Sequence, residues 1–225
     1  MSDQRADLDW RDGAIPVSTR FDDPYFSLEN GLAETRHVFL AGNDLPDRFA
    51  PGFHIGELGF GTGLNLLTSW MAWDTSGQTT PLHFTSFEAF PMTAAEMELA
   101  LSAFPELAAY AARLVTAWAE DQSLITLDGI QAQVIHGDAR HTLCDQSFAA
   151  DAWFLDGFSP AKNPELWDSD LITQVAAHTT PGGTAATYTA AGFVRRNLET
   201  AGFEVTRIPG FGRKRHMTTA RKPAP

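Results

Sequence analysis

GFHIGELGFGTGLNLL, residues 52–67, combines a short buried strand (53–58), a turn carrying Gly59, Gly61 and Gly63, and the opening of a helix with Leu64, Leu66 and Leu67. Each glycine removes a Cβ where the backbone must turn sharply or let a ligand come close, and the start of the helix presents free N–H groups. The pattern is that of a nucleotide cradle, with Phe60 and Thr62 between the glycines and Asn65 just inside the helix.

The spacing narrows the choice of nucleotide. The dinucleotide fingerprint G-x-G-x-x-G would need its third glycine at position 64, which is Leu64. The phosphate loop G-x-x-x-x-G-K-[ST] is absent, so no lysine is placed to neutralise a triphosphate. What remains is E-x-G-x-G-x-G with Glu57 as its acid, and this resembles motif I of the class I methyltransferases that use S-adenosylmethionine. That cofactor carries no phosphate and its methionine end is a zwitterion. An acid at the strand end would attract the ammonium while backbone N–H groups meet the carboxylate.

The 225 residues, 44% hydrophobic and 20% charged, suit a sizeable core. They divide into an N-terminal extension (1–52) folded onto a main domain (53–225). The single Cys144 forms no internal disulfide, and the polar start MSDQRADLDW has no segment apolar enough for a signal peptide or membrane span, so the cytoplasm is expected. His136 and His141 stand five apart, which is not metal-ligand spacing, and no metal is expected. The net charge is −12, yet residues 195–225 hold eight basic residues against two acids, a local +6 that leaves −18 elsewhere. Such a stripe either binds phosphates in a salt-dependent way or is a solvated tail.

Within the extension, an Asp-Gly turn in 10–21 suggests a hairpin, and 22–46 packs aromatics among turn residues. Asp22, Asp23, Tyr25 and Phe26 either line a pocket or are ordinary surface and core. Beyond the cradle, HFTSFEA (83–89) reads as a second strand ending in Glu88, where a nucleotide-binding α/β fold places the carboxylate that accepts from ribose hydroxyls. Helices are expected at 93–101, with Thr93 and Glu96 as a capping box, and at 106–118. A hairpin about Asp128-Gly129 leads to Asp138, which either faces the adenine or caps the helix at 139–144, and can do both. DAWFLDGFSPAKNPELW (151–167) runs a fourth strand into Asp156 and Phe158, facing the glycine turn, with a helix at 165–178. PGG (181–183) is expected as a turn before a strand. A helix at 190–202 and an antiparallel pair closed over PGFGRKR complete seven strands.

The strings FDDPYFS, GLAETRHVFL, ELGFGTGLN, SFEAFP, DAWFLDGFSPAKNP, PGGT, AGFVRR and GFGRKR span nearly the whole chain and closely resemble the bacterial tRNA wobble-uridine methyltransferases, found as the methyltransferase half of MnmC and as stand-alone MnmD proteins. The resemblance implies an α/β class I fold, Rossmann-like, with a seven-stranded sheet and a C-terminal antiparallel hairpin. It implies methyl transfer from S-adenosylmethionine to the primary amine of 5-aminomethyl(-2-thio)uridine at the wobble position of a tRNA anticodon stem-loop. The cofactor would be held by Glu57, Gly59, Phe60, Gly61, Thr62, Gly63, Asn65, Glu88, Asp138, Ala139 and Phe158. Asp156 would orient the amine and accept a proton. Phe158 stacks on a base or is core. Lys162, Asn163, Arg195, Arg196, Arg213, Lys214 and Arg215 would meet the RNA. The fused proteins carry an FAD-dependent domain that makes the amine. With no dinucleotide fingerprint for it here, a separate enzyme is expected to supply the aminomethyl group, and no FAD is expected. A class I methyltransferase acting on another amine, or a non-catalytic nucleotide- or RNA-binding module, stay open as alternatives at this point.

Overall fold

The computed structural model describes residues 4–27 and 30–224, so the first three residues of the polar start lie outside it. Asp12 (φ 49°) and Gly13 (φ 83°) turn β1 (Leu8–Arg11) back onto β2 (Ile15–Ser18), and β3 (Asp23–Pro24) pairs with β2. A helical segment that the sequence pattern does not predict comes next in the chain: α1 (Gly31–Thr35) runs through a π-helical stretch (Arg36–Leu40) into a 3-10 turn (Ala41–Asn43). Asn30 caps this helix by accepting from the Ala33 N–H. Its residues Leu32, Val38, Phe39 and Leu40 are buried in the same core as Phe53, Ile55 and Leu66.

The principal sheet comprises β4 (His54–Leu58), β5 (Leu82–Glu88), β6 (Leu124–Leu127), β7 (Ile130–His136), β8 (Ala150–Leu155), β9 (Thr179–Thr187), β10 (Glu204–Pro209) and β11 (His216–Arg221). Their order is β10-β11-β9-β8-β4-β5-β7-β6. Among the described residues that makes eight strands rather than seven, because the first arm of the Asp128-Gly129 hairpin pairs along β7 as an edge strand. Five central strands are parallel, and β11 and β10 add antiparallel at one edge.

The helices are α2 (Leu64–Thr75), α3 (Ala94–Leu101), α4 (Ala108–Glu120), α5 (Ala139–Thr142), α6 (Ser169–Ala177) and α7 (Gly192–Thr200). The Thr93–Glu96 capping box forms in both directions at the start of α3. The helix expected over 165–178 is split. Asp168 leaves helical geometry (ψ 162°) and accepts from the Leu171 N–H at 2.8 Å, so a 3-10 turn (Pro164–Trp167) precedes α6. PGG lies inside β9 rather than before it. Gly182 (φ 77°) and a register shift opposite Ala150–Ala152 absorb it as an irregularity in the ladder.

Two apolar layers sandwich the sheet, and β8 shows how. Ala152 and Phe154 join the layer of Ile55, Phe84 and Trp70, while Trp153 and Leu155 join that of Val175, Val194 and Leu198, as a period of two requires. Gly56 makes room for the Trp153 indole: a Cβ there would stand 2.8 Å from the ring.

The chain moves outward from β4 through β5 to β7, then returns to β8 on the other side of β4. The switch point is therefore the crevice between β4 and β8, where α/β sheets bind ligands at the carboxyl ends of their strands. Leu58 and Leu155 are paired, so the glycine turn and the Asp156 loop leave the sheet side by side.

Candidate active site

Gly59 adopts φ 85°, and a Cβ on it would lie 3.2 Å from both the Cα and the N of Gly157. The two loops that leave the switch point thus approach backbone to backbone. Gly61 (φ 55°) faces the Tyr25 ring, whose Cδ1 would be 3.1 Å from an added Cβ. The Gly61 N–H donates to Glu88 Oε2 and the Phe90 N–H to Glu88 Oε1, both at 2.8 Å. Glu88 so ties the glycine turn to the loop after β5, and its carboxylate keeps acceptor capacity for a further donor.

Asn65, on the first turn of α2, organises the acids. Its Nδ2 donates to Glu57 Oε1 and to Asp156 Oδ2, each at 2.8 Å, and its Oδ1 accepts from Thr35 Oγ1 at 3.0 Å. Ser86 Oγ donates to the other oxygen of Glu57 at 2.6 Å, and the Gly157 N–H to Asp156 Oδ1 at 2.8 Å. Burial pushes the Asp156 carboxyl up to about 7 against the pull of the Asn65 and Gly157 hydrogen bonds; Glu34 adds to the rise and Lys214 opposes it. Burial raises Glu57 and Glu88 as well. Buried acids held this way stabilise a cation brought among them.

A cavity of about 710 Å³ opens over these groups, within the range of small-molecule sites. Phe158 forms one side, stacked on Phe21 at 4.6 Å between centroids and edge-on to Tyr25 at 5.0 Å; Arg20 lies 4.6 Å over the Phe90 ring. Asp23 latches the extension to the Asp156 loop by accepting from the Ser159 N–H at 2.8 Å. Lys162 closes the same latch, with Asp22 Oδ2 at 3.1 Å and Asp23 Oδ1 at 3.8 Å. At the opposite rim, Lys214 pairs with Glu34 at 2.7 Å and sits 4.0 Å from the centre of the Tyr188 ring.

Of the residues singled out from sequence, Asp23, Tyr25, Phe26, Gly59, Phe60, Gly61, Thr62, Asn65, Glu88, Asp138, Ala139, Asp156, Phe158, Lys162, Asn163 and Lys214 line this cavity, and Asp22 does not. Nor does Glu57. It is fully buried with both oxygens bonded, so its expected reach toward an ammonium is replaced by the holding of Asn65. Gly63 is also off the wall: an added Cβ would stand 2.8 Å from Leu114 Cδ2, so this glycine serves helix packing. Asp138 caps α5 through the Arg140 N–H at 2.9 Å while bordering the cavity, and the Arg140 guanidinium holds its carboxyl below the usual range.

Arg195, Arg196, Arg213 and Arg215 lie away from the cavity wall. The basic stripe is partly internal. Lys222 donates to the Ala176 and Thr179 carbonyls at 2.7 Å, and Arg221 to Asp44 at 2.8 Å and the Gly182 carbonyl at 3.0 Å. The site also draws in Arg20, Phe21, Glu34, Thr35, Phe90 and Tyr188, to which the sequence pattern assigns no role. FDDPYFS and GLAETRHVFL contain the signal for several of them, but position alone does not say which side chains turn inward.

S-adenosylmethionine fits these residues. A Cβ at Gly59 or Gly61 would crowd the cradle, and the acids at the switch point suit a ligand with sulfonium and ammonium charges. The family described as S-adenosyl-L-methionine-dependent methyltransferase matches residues 105–223. The chain is 45% identical, over 95% of its length, to the tRNA 5-methylaminomethyl-2-thiouridine biosynthesis bifunctional protein MnmC of Stutzerimonas stutzeri (strain A1501), and covers 34% of that protein. It therefore spans about a third of the length of that curated relative. The crystal structure of MNMC2 from Aquifex aeolicus superposes with a TM-score of 0.79 at 27% identity, covering 99% of this chain and 71% of the other. A precorrin-6y C5,15-methyltransferase from Geobacter metallireducens GS-15 shares the fold, with a TM-score of 0.52 at 11% identity, over 96% of this chain and 98% of its own. The family match covers more than half of the chain, and the chain is a member of the S-adenosyl-L-methionine-dependent methyltransferase family.

Proposed function

We propose that this chain methylates the primary amine of 5-aminomethyl(-2-thio)uridine at the wobble position of tRNA, giving the methylaminomethyl form. The observation that carries the reading is Asp156: a half-buried carboxylate beside the glycine turn, fixed by Asn65 and Gly157 and pushed up to about 7. The name of the MnmC relative supplies the nucleoside class, and the likeness to MNMC2 supports it across the whole fold.

When bound, S-adenosylmethionine supplies an electrophilic methyl group on a sulfonium. Glu88, on the cavity wall with acceptor capacity left on its carboxylate, would accept from ribose hydroxyls, and the backbone of the glycine turn would meet the methionine end. Asp138, Ala139 and Phe158 border the remaining cofactor space. Asp156 orients the amine. An alkyl amine has a pKa of about 10 in water and must lose a proton before it can attack. A carboxyl raised to about 7 is a stronger proton acceptor than an ordinary aspartate. Asn65 fixes which oxygen is presented, an orientation effect of the kind that governs methyl transfer.

The RNA partner is an anticodon stem-loop, met by Lys162, Asn163 and the exposed arginines around 195–215. The aminomethyl group is made at another catalytic centre, because a carboxymethylaminomethyl precursor would bring its own carboxylate against Asp156, Glu34 and Asp23. No helix among the described residues is long and apolar enough to cross a membrane, and action on tRNA places the work in the cytoplasm. Mass spectrometry of nucleosides after incubation with each tRNA form tests the reading. A gain of about 14 mass units on the aminomethyl nucleoside alone is expected, one methyl replacing one proton. Conversion of the carboxymethylaminomethyl form, or of unmodified tRNA only, would overturn it.

A further inference from the structure

The position of Lys214 bears on how an amine can react beside an acid. The hairpin between β10 and β11 delivers this side chain to the cavity across a sequence distance of 180 residues from its partner Glu34. The hairpin is built to hold that approach. Gly210 has no room for a Cβ against the Lys214 carbonyl, its N–H donates to the Arg215 carbonyl at 3.2 Å, and His37 Nε2 lies 3.1 Å from the Pro209 carbonyl. The ammonium is then clamped between the Glu34 carboxylate at 2.7 Å and the Tyr188 ring at 4.0 Å. Tyr188 is itself fixed, donating through its hydroxyl to the Gly157 carbonyl at 2.9 Å, one residue from Asp156.

An acidic wall stabilises the protonated form of an amine, which cannot attack. The groups around Asp156 and Lys214 are Glu34 from α1, Asp23 from β3 with Lys162 paired to it at 3.8 Å, Tyr188 just after β9, and Glu57 of β4 behind Asn65. The acids among them all pull the amine toward ammonium. Lys214 is the cation whose charge opposes the rise of the Asp156 carboxyl, and an ion pair to Glu34 with a cation–π contact to Tyr188 holds it in place.

We propose that Lys214 is an electrostatic positioning residue for methyl transfer, its ammonium clamped by Glu34 and Tyr188 beside Asp156 so that the bound amine is biased toward its neutral, nucleophilic form. This rests on the reading of the substrate as a primary amine. The ammonium first gives a proton to Asp156 or water. The neutral nitrogen then uses its lone pair to form the N–C bond while the C–S bond breaks and its electron pair stays on sulfur, leaving a thioether and a secondary ammonium. Lys214 gains and loses nothing in the step; its charge acts through space on the nitrogen and on Asp156, in both cases favouring loss of the proton.

The test is turnover of a synthetic anticodon stem-loop RNA carrying 5-aminomethyluridine, at saturating S-adenosylmethionine, from pH 6 to 9.5. Lys214→Met should move the acidic limb of kcat about one pH unit to alkaline, with turnover about tenfold lower near pH 7 and recovered near pH 9. Lys214→Arg should keep the wild-type profile. Glu34→Gln, which removes an acid instead of the cation, should move the limb the other way, and it gives a second reading if the methionine variant folds poorly. A Lys214→Met profile that superimposes on wild type, or that is lowered equally at every pH, would overturn the proposal while leaving the substrate reading intact. Failure of the wild-type chain to methylate this RNA would remove the substrate reading and the proposal with it.

Discussion

Asp156→Asn should make the ligand-free protein more stable relative to wild type as the pH rises, while lowering turnover sharply. Burial carries the Asp156 carboxyl from its ordinary value of 3.8 to about 7. Between those values the folded wild type holds a proton that the unfolded chain has released, so the stability contributed by this group falls as pH increases and levels off above about 7. From pH 5 to pH 8 that covers about two pH units, and at about 1.4 kcal/mol each the wild type loses about 3 kcal/mol through this group. The asparagine variant does not titrate there. Its absolute stability starts lower, because an amide can accept from only one of the two donors, Asn65 Nδ2 and the Gly157 N–H, and meets the other with a donor of its own. That mismatch costs about 1–3 kcal/mol. The quantity to measure is therefore the difference in unfolding free energy between variant and wild type, by urea titration at pH 5, 6, 7 and 8. It should move in favour of the variant by about 3 kcal/mol across the series. A flat difference would refute the argument that burial opposes ionisation of Asp156, and with it the account of Asp156 as a strengthened proton acceptor.

The geometry sets two further outcomes. Gly61→Val should abolish S-adenosylmethionine binding by calorimetry, since its Cβ would stand 3.1 Å from Tyr25 Cδ1 at a φ of 55° that branched residues avoid; unchanged affinity in a folded variant would remove the turn from the site. Reversing the exposed Arg196 and Arg215 to Glu should weaken tRNA binding and flatten the slope of log affinity against log salt by about 2, with cofactor affinity unchanged. An unaltered slope would make these arginines a solvated face.

Local chemistry was legible in the sequence because each signal there is completed by neighbours along the chain. The glycine turn after β4, the Thr93–Glu96 capping box, Asp138 as a helix cap and the Asp12-Gly13 and Asp128-Gly129 hairpins need only a few consecutive residues to define their backbone. Glu88 and Asp156 could be named because strand ends at a switch point converge whatever the loops do. The helix from Gly31 was not legible. It begins at a glycine, passes through a π-helical stretch and is held by burial of Val38, Phe39 and Leu40 rather than by helix propensity.

The tertiary structure alone decided which charges face the cavity. Glu57 reads as a ligand-facing acid in its motif, yet Asn65 and Ser86 occupy its oxygens once α2 and β5 are packed beside β4. Lys214, Arg221 and Lys222 read as one basic stripe, yet the first is drawn to Glu34 in the cavity and the others to Asp44 and to backbone carbonyls. A charged side chain finds its partner in space, and partners separated by 180 residues leave no periodicity or spacing for the sequence to record.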